Sequence, residues 1–160
     1  MTKIISAFPA SGKSFLFNQG ELKCVDSDSS LFSWIFTPEG EKIRNPNFID
    51  EYKEHILSLI GTVDYIFVSS HREVRDMLTD SDLRWISVMP SYKMKNEIVG
   101  RCFNRGSSEA FCKMIADNWD SFVPQSHNGL TAKGANAWVT LQPNEYISDH
   151  MYFIETIQGN

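Results

Sequence analysis

Eight residues near the start of the chain have the types and spacing of a phosphate-binding loop. They read Ala7-Phe8-Pro9-Ala10-Ser11-Gly12-Lys13-Ser14, which fits the pattern of Ala or Gly, four variable residues, then Gly-Lys-Ser. Gly12 lacks a Cβ, so the backbone there can approach a phosphate oxygen closely, while Lys13 brings a charge on a flexible stem. Ser14 has a hydroxyl of the kind that binds Mg²⁺. We therefore predict that a nucleoside triphosphate binds here, at Pro9, Ala10, Ser11, Gly12, Lys13, Ser14 and Phe15.

The setting of this motif strengthens the prediction. It follows the apolar run of residues 3–6 and precedes an apolar segment from Phe15, as expected between a strand and a helix whose first free N–H groups attract an anion. The alternative is an ordinary exposed turn. Ala7 stands where the usual pattern has its first glycine, so the turn must accommodate a Cβ.

Two carboxylates follow the second predicted strand. Asp26 and Asp28 belong to a polar stretch that begins where residues 22–25 end, and open α/β sheets place their chemistry at the carboxyl ends of strands. The pair would serve one Mg²⁺ ion and one substrate hydroxyl. The alternative is a helix cap or an Asx turn before residue 31.

A basic cluster forms the second informative stretch in an otherwise acidic protein. Lys93, Lys95, Arg101 and Arg105 are opposed only by Glu97. Arg101 and Arg105 are four residues apart on a predicted helix, so both point the same way. Two guanidinium groups on one face suit contact with phosphoryl oxygens and with charge that develops during phosphoryl transfer. The alternative is a solvated basic face.

Two further groups of residues are candidates for binding an acceptor. Ser70 ends the third predicted strand and Arg72 follows it, where Arg72 would face the cleft. Trp34 lies in an aromatic cluster of residues 32–36, which we place on a short helix. Core packing is the favoured role of that cluster because large aromatic side chains are usually buried, and base stacking or a substrate lid is the alternative.

The apolar pattern alternates between strands and helices along the chain. Strands are predicted at residues 3–6, 22–25, 64–70, 84–90 and 138–141, and helices at 13–18, 31–36, 48–60, 72–82, around 101–105, at 108–123 and from 149. Such alternation predicts an α/β fold with a parallel sheet. We expect the 160 residues to form a single domain, 1–160.

Composition restricts the function classes. Fifteen Lys and Arg residues against twenty Asp and Glu give a net charge of −5, which argues against a broad nucleic-acid-coating surface. Three cysteines without C-x-x-C spacing indicate reduced thiols in a cytoplasmic protein, not a disulfide framework. No apolar run approaches membrane-spanning length, so we predict no membrane partner.

With these motifs in this order, the chain resembles small P-loop kinases of the adenylate kinase and shikimate- or gluconate-kinase group. It is also similar to bacteriophage-encoded kinases, some of which resemble kinases of modified DNA bases. The resemblance implies a three-layer fold, a five-stranded parallel sheet of order 2-3-1-4-5 and a small helical lid at about residues 91–107. It also implies that Lys13 and Ser14 serve ATP and Mg²⁺, that Asp26 helps to hold the metal, that Asp28 contacts the acceptor, and that Arg101 and Arg105 close over the phosphates.

The sequence thus supports the hypothesis of an ATP- and Mg²⁺-dependent phosphotransferase, with Lys13, Asp26, Arg101 and Arg105 as catalytic residues. A nucleotide or nucleoside monophosphate is the first acceptor to consider, and a hydroxymethylated base in DNA is the second. Two rivals are a non-catalytic nucleotide sensor that closes onto a protein partner and a degenerate kinase that retains only the fold. The acceptor, the choice between ATP and GTP and the oligomeric state stay open.

Overall fold

The structure is a computed structural model that describes residues 1–27, 29–125 and 132–160. Within these ranges the strands are β1 (Lys3–Ala7), β2 (Cys24–Asp26), β3 (Trp34–Phe36), β4 (Lys42–Arg44), β5 (Tyr65–Ser69), β6 (Trp85–Pro90) and β7 (Ala137–Leu141). The helices are α1 (Lys13–Gln19), α2 (Ser30–Ser33), α3 (Phe48–Leu59), α4 (Arg72–Asp80), α5 (Lys95–Asn104), α6 (Glu109–Asp117), α7 (Trp119–Phe122) and α8 (Met151–Glu155). Short 3₁₀ helices at Tyr92–Met94 and Ile147–His150 precede α5 and α8.

Five strands form one parallel sheet in the order β2-β5-β1-β6-β7. Counted along the chain, these are the second, third, first, fourth and fifth strands of the sheet, so the predicted order 2-3-1-4-5 is confirmed. The predicted α/β class, with helices flanking a parallel sheet, is also confirmed. Because β1 lies in the middle, the loop that follows it opens at the centre of the carboxyl edge.

The central strands of the sheet are buried on both faces. Neighbouring residues in a strand point to opposite sides, and the core accordingly divides into two apolar layers. Ile4 of β1 and Ile66 of β5 lie in one layer, whereas Ile5 and Phe67 lie in the other. Full burial of one such side chain contributes about 1.5–3 kcal/mol, so the central strands are a rigid base for the loops at their ends.

The segment predicted as a lid is helical and packs against this core. In α5 and the turn before it, Met94, Ile98 and Cys102 recur every four residues and are buried. The neighbouring stripe of the same helix carries Glu97, Arg101 and Arg105, also at four-residue spacing. Burial of the first stripe therefore fixes the direction in which the second one faces.

The structure corrects the prediction for residues 31–47. Only Ser30–Ser33 are helical, and Trp34–Phe36 form strand β3, which pairs antiparallel with β4 in a segment where no strand is predicted. The expected core packing of the aromatic cluster is also wrong for most of its members. Trp34 is 45% exposed and Phe36 is 71% exposed. A short aromatic run fits either a helix or a strand, and pairing with residues 42–44 decides between them.

Other boundaries differ by small amounts. Ser108 caps α6 through a hydrogen bond from the Phe111 N–H of 3.1 Å, so this helix begins one residue after its predicted start at residue 108. The helix predicted over residues 108–123 is also interrupted at Asn118. Residues 126–131, between α7 and β7, lie outside the described residues. No helix in the described part of the chain is long and apolar enough to cross a membrane.

Candidate active site

Residues 7–14, the candidate phosphate loop, connect the carboxyl end of β1 to α1. Ala7 ends the strand, is fully buried and lies between Ser69 and Val88 in the sheet register. Its Cβ is therefore accommodated inside the sheet, ahead of the turn itself. The Phe8 N–H then donates to the Val88 carbonyl at 3.0 Å, so the loop departs from a fixed point.

Two residues of the loop have left-handed backbone conformations. Ala10 has φ of 62° and Gly12 has φ of 101°. A Cβ added at Gly12 would lie 3.2 Å from Cδ1 and 3.3 Å from Cβ of Tyr146. Glycine is thus required here for its conformation and for the close approach of a neighbouring aromatic residue.

The loop also holds a buried polar atom with no partner. Ser11 is fully buried, and its Oγ makes no hydrogen bond in the described part of the chain. A buried hydroxyl usually has a partner, because leaving it unsatisfied costs about 1–3 kcal/mol. The orphaned Ser11 hydroxyl and the glycine cradle fit a loop that receives an oxygen-rich ligand.

Ser14 and Asp26 come together at the start of α1 and the end of β2. The Ser14 Oγ lies 3.5 Å from Oδ2 of Asp26. Two adjacent ligands of an octahedral Mg²⁺ ion are about 3.0 Å apart, given bonds of about 2.1 Å, so the pair fits a shared ion after a small adjustment. Among the described residues no three His, Cys, Asp or Glu side chains cluster as a metal site, and Mg²⁺ characteristically completes its shell with water and phosphate. The predicted acceptor residue Asp28 lies outside the described residues.

The Arg101 guanidinium is held by four groups. Its Nη1 donates to the Ala10 carbonyl at 3.2 Å, and its Nη2 donates to the Glu145 carbonyl at 2.8 Å. Nη2 also forms an ion pair with Glu97, and the guanidinium carbon lies 3.8 Å from the centre of the Tyr146 ring. Only 11% of the Arg101 side chain is exposed. Arg101 therefore joins α5 to the phosphate loop and to the segment after β7.

We call that segment, residues 142–147, the base turn, because in a nucleotide site Pro143-Asn144 would be the turn near the adenine ring. The Glu145 carboxylate accepts from the Gln142 N–H at 2.9 Å and contacts His150 Nε2 at 2.7 Å. The Gln142 amide and then the His150 ring lower the pKa of the Glu145 carboxyl. The Ile147 N–H donates to the Ser11 carbonyl at 2.9 Å, which fastens the base turn to the phosphate loop.

Arg105 lies one helical turn beyond Arg101 in a very different environment. It is exposed, its Nε donates to the Ser107 Oγ at 2.9 Å, and its guanidinium lies 5.8 Å from the centre of the Phe111 ring. These contacts are local to the helix end, so the side chain can reorient at small cost. Both arginines border the same cavity, but their surroundings differ.

A cavity of about 380 Å³ lies between these elements. This volume lies within the range of small-ligand sites. It is bordered by Ala10, Gly12, Lys13, Ser14, Phe15, Arg101, Asn104, Arg105 and Tyr146. The cavity thus brings the phosphate loop and both predicted arginines together.

The predicted acceptor residues Ser70 and Arg72 follow β5, the neighbour of β1. Ser69 is in register with Ala7, so Ser70 comes next to the phosphate loop and is half-buried. Arg72 is exposed and pairs with Asp76 at 3.5 Å across one turn of α4. Such an exposed pair is weak, so it leaves Arg72 able to exchange partners.

The predicted acceptor residue Trp34 lies on the β3–β4 hairpin. In the register, Trp34 is opposite Arg44 and Phe36 is opposite Lys42, so these four side chains share one face. The Lys42 Nζ lies 4.8 Å from the centre of the Trp34 ring, and Arg44 contacts Glu73 of α4 at 3.4 Å. The hairpin is thus attached to α4, which begins at the end of β5.

Sequence reasoning missed the roles of Glu97 and Tyr146. Glu97 was recognised only as a charge opposing the basic cluster, although its i,i+4 spacing to Arg101 is the signal of an ion pair. Tyr146 had no local signal, because its contacts are to Gly12 and Arg101, which are far away in the chain.

No family model matches the sequence, and no curated protein matches it. Among solved structures, this chain is similar to the Deinococcus radiodurans tunicamycin resistance protein at 12% identity, with a TM-score of 0.60 over 99% of this chain and 98% of that one. It is also similar to an uncharacterized protein from Eubacterium ventriosum ATCC 27560 at 12% identity, with a TM-score of 0.51 over 97% of each chain. Similarity at this level shows a shared fold.

Proposed function

We propose that this chain is an ATP- and Mg²⁺-dependent phosphotransferase that moves the γ-phosphate to a small acceptor. One observation carries the proposal. The loop with the Gly-Lys-Ser sequence joins the central strand to a helix at the edge of a cavity that two arginines also border. A triphosphate needs this combination of glycine backbone, lysine and guanidinium groups.

The donor would occupy the cavity, with its phosphates at residues 9–15. Ser14 and Asp26 would hold Mg²⁺, which would neutralise charge on the phosphate oxygens. Lys13 would bind the β- and γ-phosphate oxygens, and Arg105 would meet the charge that builds on the transferred group. Arg101, with most of its donors engaged, would form the wall of the nucleotide site.

The acceptor would lie between Asp26 and the end of β5, where Ser70 and Arg72 would bind it together with Asp28 and Trp34. Positioning and electrostatics then supply most of the catalysis. A nucleotide or nucleoside monophosphate is the first acceptor that we propose. The structural neighbour named for tunicamycin resistance adds tunicamycin as a compound to test.

The experiment is transfer of label from γ-labelled ATP, with Mg²⁺, to separate pools of nucleosides, nucleotides, sugars, DNA and tunicamycin. We expect one pool to take label, and we expect Lys13→Ala to reduce the rate by at least about 100-fold. Lys23→Ala is the matched control, since Lys23 is exposed and outside the cavity. Label in DNA that falls steeply with added salt would favour the DNA-base acceptor. ATP binding without transfer to any pool would favour the sensor, and no ATP binding would refute the proposal.

A further inference from the structure

We propose that Glu97 is a positioning residue that orients the backbone amides of the phosphate loop for anion binding. It acts through Arg101 and through the base turn and need not touch the nucleotide. The inference rests on the proposed function, because it concerns how the same site recognises a triphosphate.

The Glu97 carboxylate lies between helix α5 and the base turn. It forms the ion pair with Arg101, and it accepts hydrogen bonds from the Asn144 N–H at 3.0 Å to Oε1 and 3.1 Å to Oε2. Its side chain is 27% exposed. The ion pair of Lys113 with Asp117 has the same spacing, but those side chains are 73% and 58% exposed. Glu97 is therefore a shielded bridge from α5 to the base turn.

Arg101 connects Glu97 to the phosphate loop. The two N–H groups of Nη2 are taken by Glu97 and the Glu145 carbonyl, and this fixes the plane of the guanidinium. Nη1 is then directed at the Ala10 carbonyl. A trans peptide is planar, with its C=O and N–H in opposite directions. Holding the Ala10 carbonyl therefore sets the direction of the Ser11 N–H.

The base turn holds the next peptide of the loop, between Ser11 and Gly12. The Ile147 N–H of the base turn holds the Ser11 carbonyl, and the same planarity then sets the direction of the Gly12 N–H. Glu97 holds the base turn through Asn144 and holds Arg101 directly. The Glu97 carboxylate thus orients two consecutive amides, the Ser11 N–H and the Gly12 N–H. These amides lie in a stretch where Ala10 and Gly12 have left-handed backbones.

The test compares binding of Mg-ATP and of inorganic triphosphate with Mg²⁺ by calorimetry. We expect Glu97→Gln to weaken both about tenfold, as expected when one charge-assisted hydrogen bond that orients a binding loop is lost. Glu97→Ala should weaken both further. Asp117→Asn, which breaks the exposed ion pair on α6, is the matched control and should bind both ligands as the unaltered protein does. Circular dichroism checks that each variant is folded at the temperature of measurement.

A double-mutant cycle separates positioning from a general loss of stability. Arg101→Lys keeps the charge but loses the forked geometry, so adding Glu97→Gln to it should weaken binding by less than Glu97→Gln does alone. Equal additional weakening in both backgrounds would overturn the proposal, as would a Glu97→Ala variant with unchanged affinity or an Asp117→Asn variant that is equally impaired. Absence of binding by the unaltered protein would refute the proposed function itself, which is a different result.

Discussion

The region proposed to bind the nucleotide and the region proposed to bind the acceptor, called the nucleotide side and the acceptor side, are built in opposite ways. On the nucleotide side, α5, the phosphate loop and the base turn are joined by hydrogen bonds, and the Arg101 side chain at their junction is 11% exposed. On the acceptor side, the β3–β4 hairpin has only two strands and leaves Trp34, Ile35, Phe36 and Ile43 exposed by 38% or more.

This contrast indicates which of the two regions has its shape without a ligand. The network around Arg101 fixes backbone directions by itself, so binding there needs little reorganisation. A two-stranded hairpin by itself is marginally stable in water, and the strands of this one contact α4 through the exposed ion pair of Arg44 with Glu73. Mutations on the first side should therefore alter nucleotide affinity, and those on the hairpin should alter acceptor use.

The largest effect is expected at the phosphate loop. Gly12→Ala should weaken ATP binding by more than about 100-fold, because a left-handed alanine costs about 1–2 kcal/mol and its Cβ would press on the Tyr146 ring. Gly20→Ala is the control, since Gly20 has φ of 69° but nothing lies within 4 Å of an added Cβ. Calorimetry measures both affinities. Intact ATP binding in the Gly12 variant would place the nucleotide elsewhere.

A smaller effect is expected at Arg105, on the catalytic rate. Arg105→Ala should slow phosphate transfer by about 10²–10³-fold, the usual result of removing one group that stabilises transition-state charge, while ATP affinity changes by less than about threefold. Rates at saturating ATP and calorimetry give the two values. Arg84→Ala, at an exposed arginine beside the amino end of β6, should leave both unchanged. Full activity in the Arg105 variant would remove the main support for a kinase.

The smallest effect is expected on the hairpin. Trp34→Ala combined with Phe36→Ala should change the free energy of unfolding by only about 1 kcal/mol, because both rings are substantially exposed. ATP affinity should stay the same and the KM for the acceptor should rise. Phe48→Ala is the contrasting variant, since Phe48 is 3% exposed and its loss should cost about 3–5 kcal/mol. An unchanged acceptor KM in the double variant would exclude the hairpin from acceptor binding.

The sequence was most informative where the signal is local. The strand, loop and helix around Gly12 could be predicted because glycine, lysine and apolar runs have meaning within a few residues of chain. Strand order came from the family resemblance, since pairing of β1 with β5 and β6 joins residues about 60 and 80 positions apart. Strand β3 was predicted to be helical because a three-residue aromatic strand is too short to show a strand period.

The candidate site shows the same limit in its two arginines. Sequence spacing was enough to predict that Arg101 and Arg105 share one face of a helix and that a strand, a loop with a Gly-Lys-Ser sequence and a helix lie near the start of the chain. The sequence gives no sign that Arg101 is enclosed by Glu97, Ala10, Glu145 and Tyr146 while Arg105 is exposed, and this difference is seen in the folded structure. The physical reason is that helical periodicity is set by neighbouring residues, whereas enclosure depends on how α5 packs against loops from both ends of the chain.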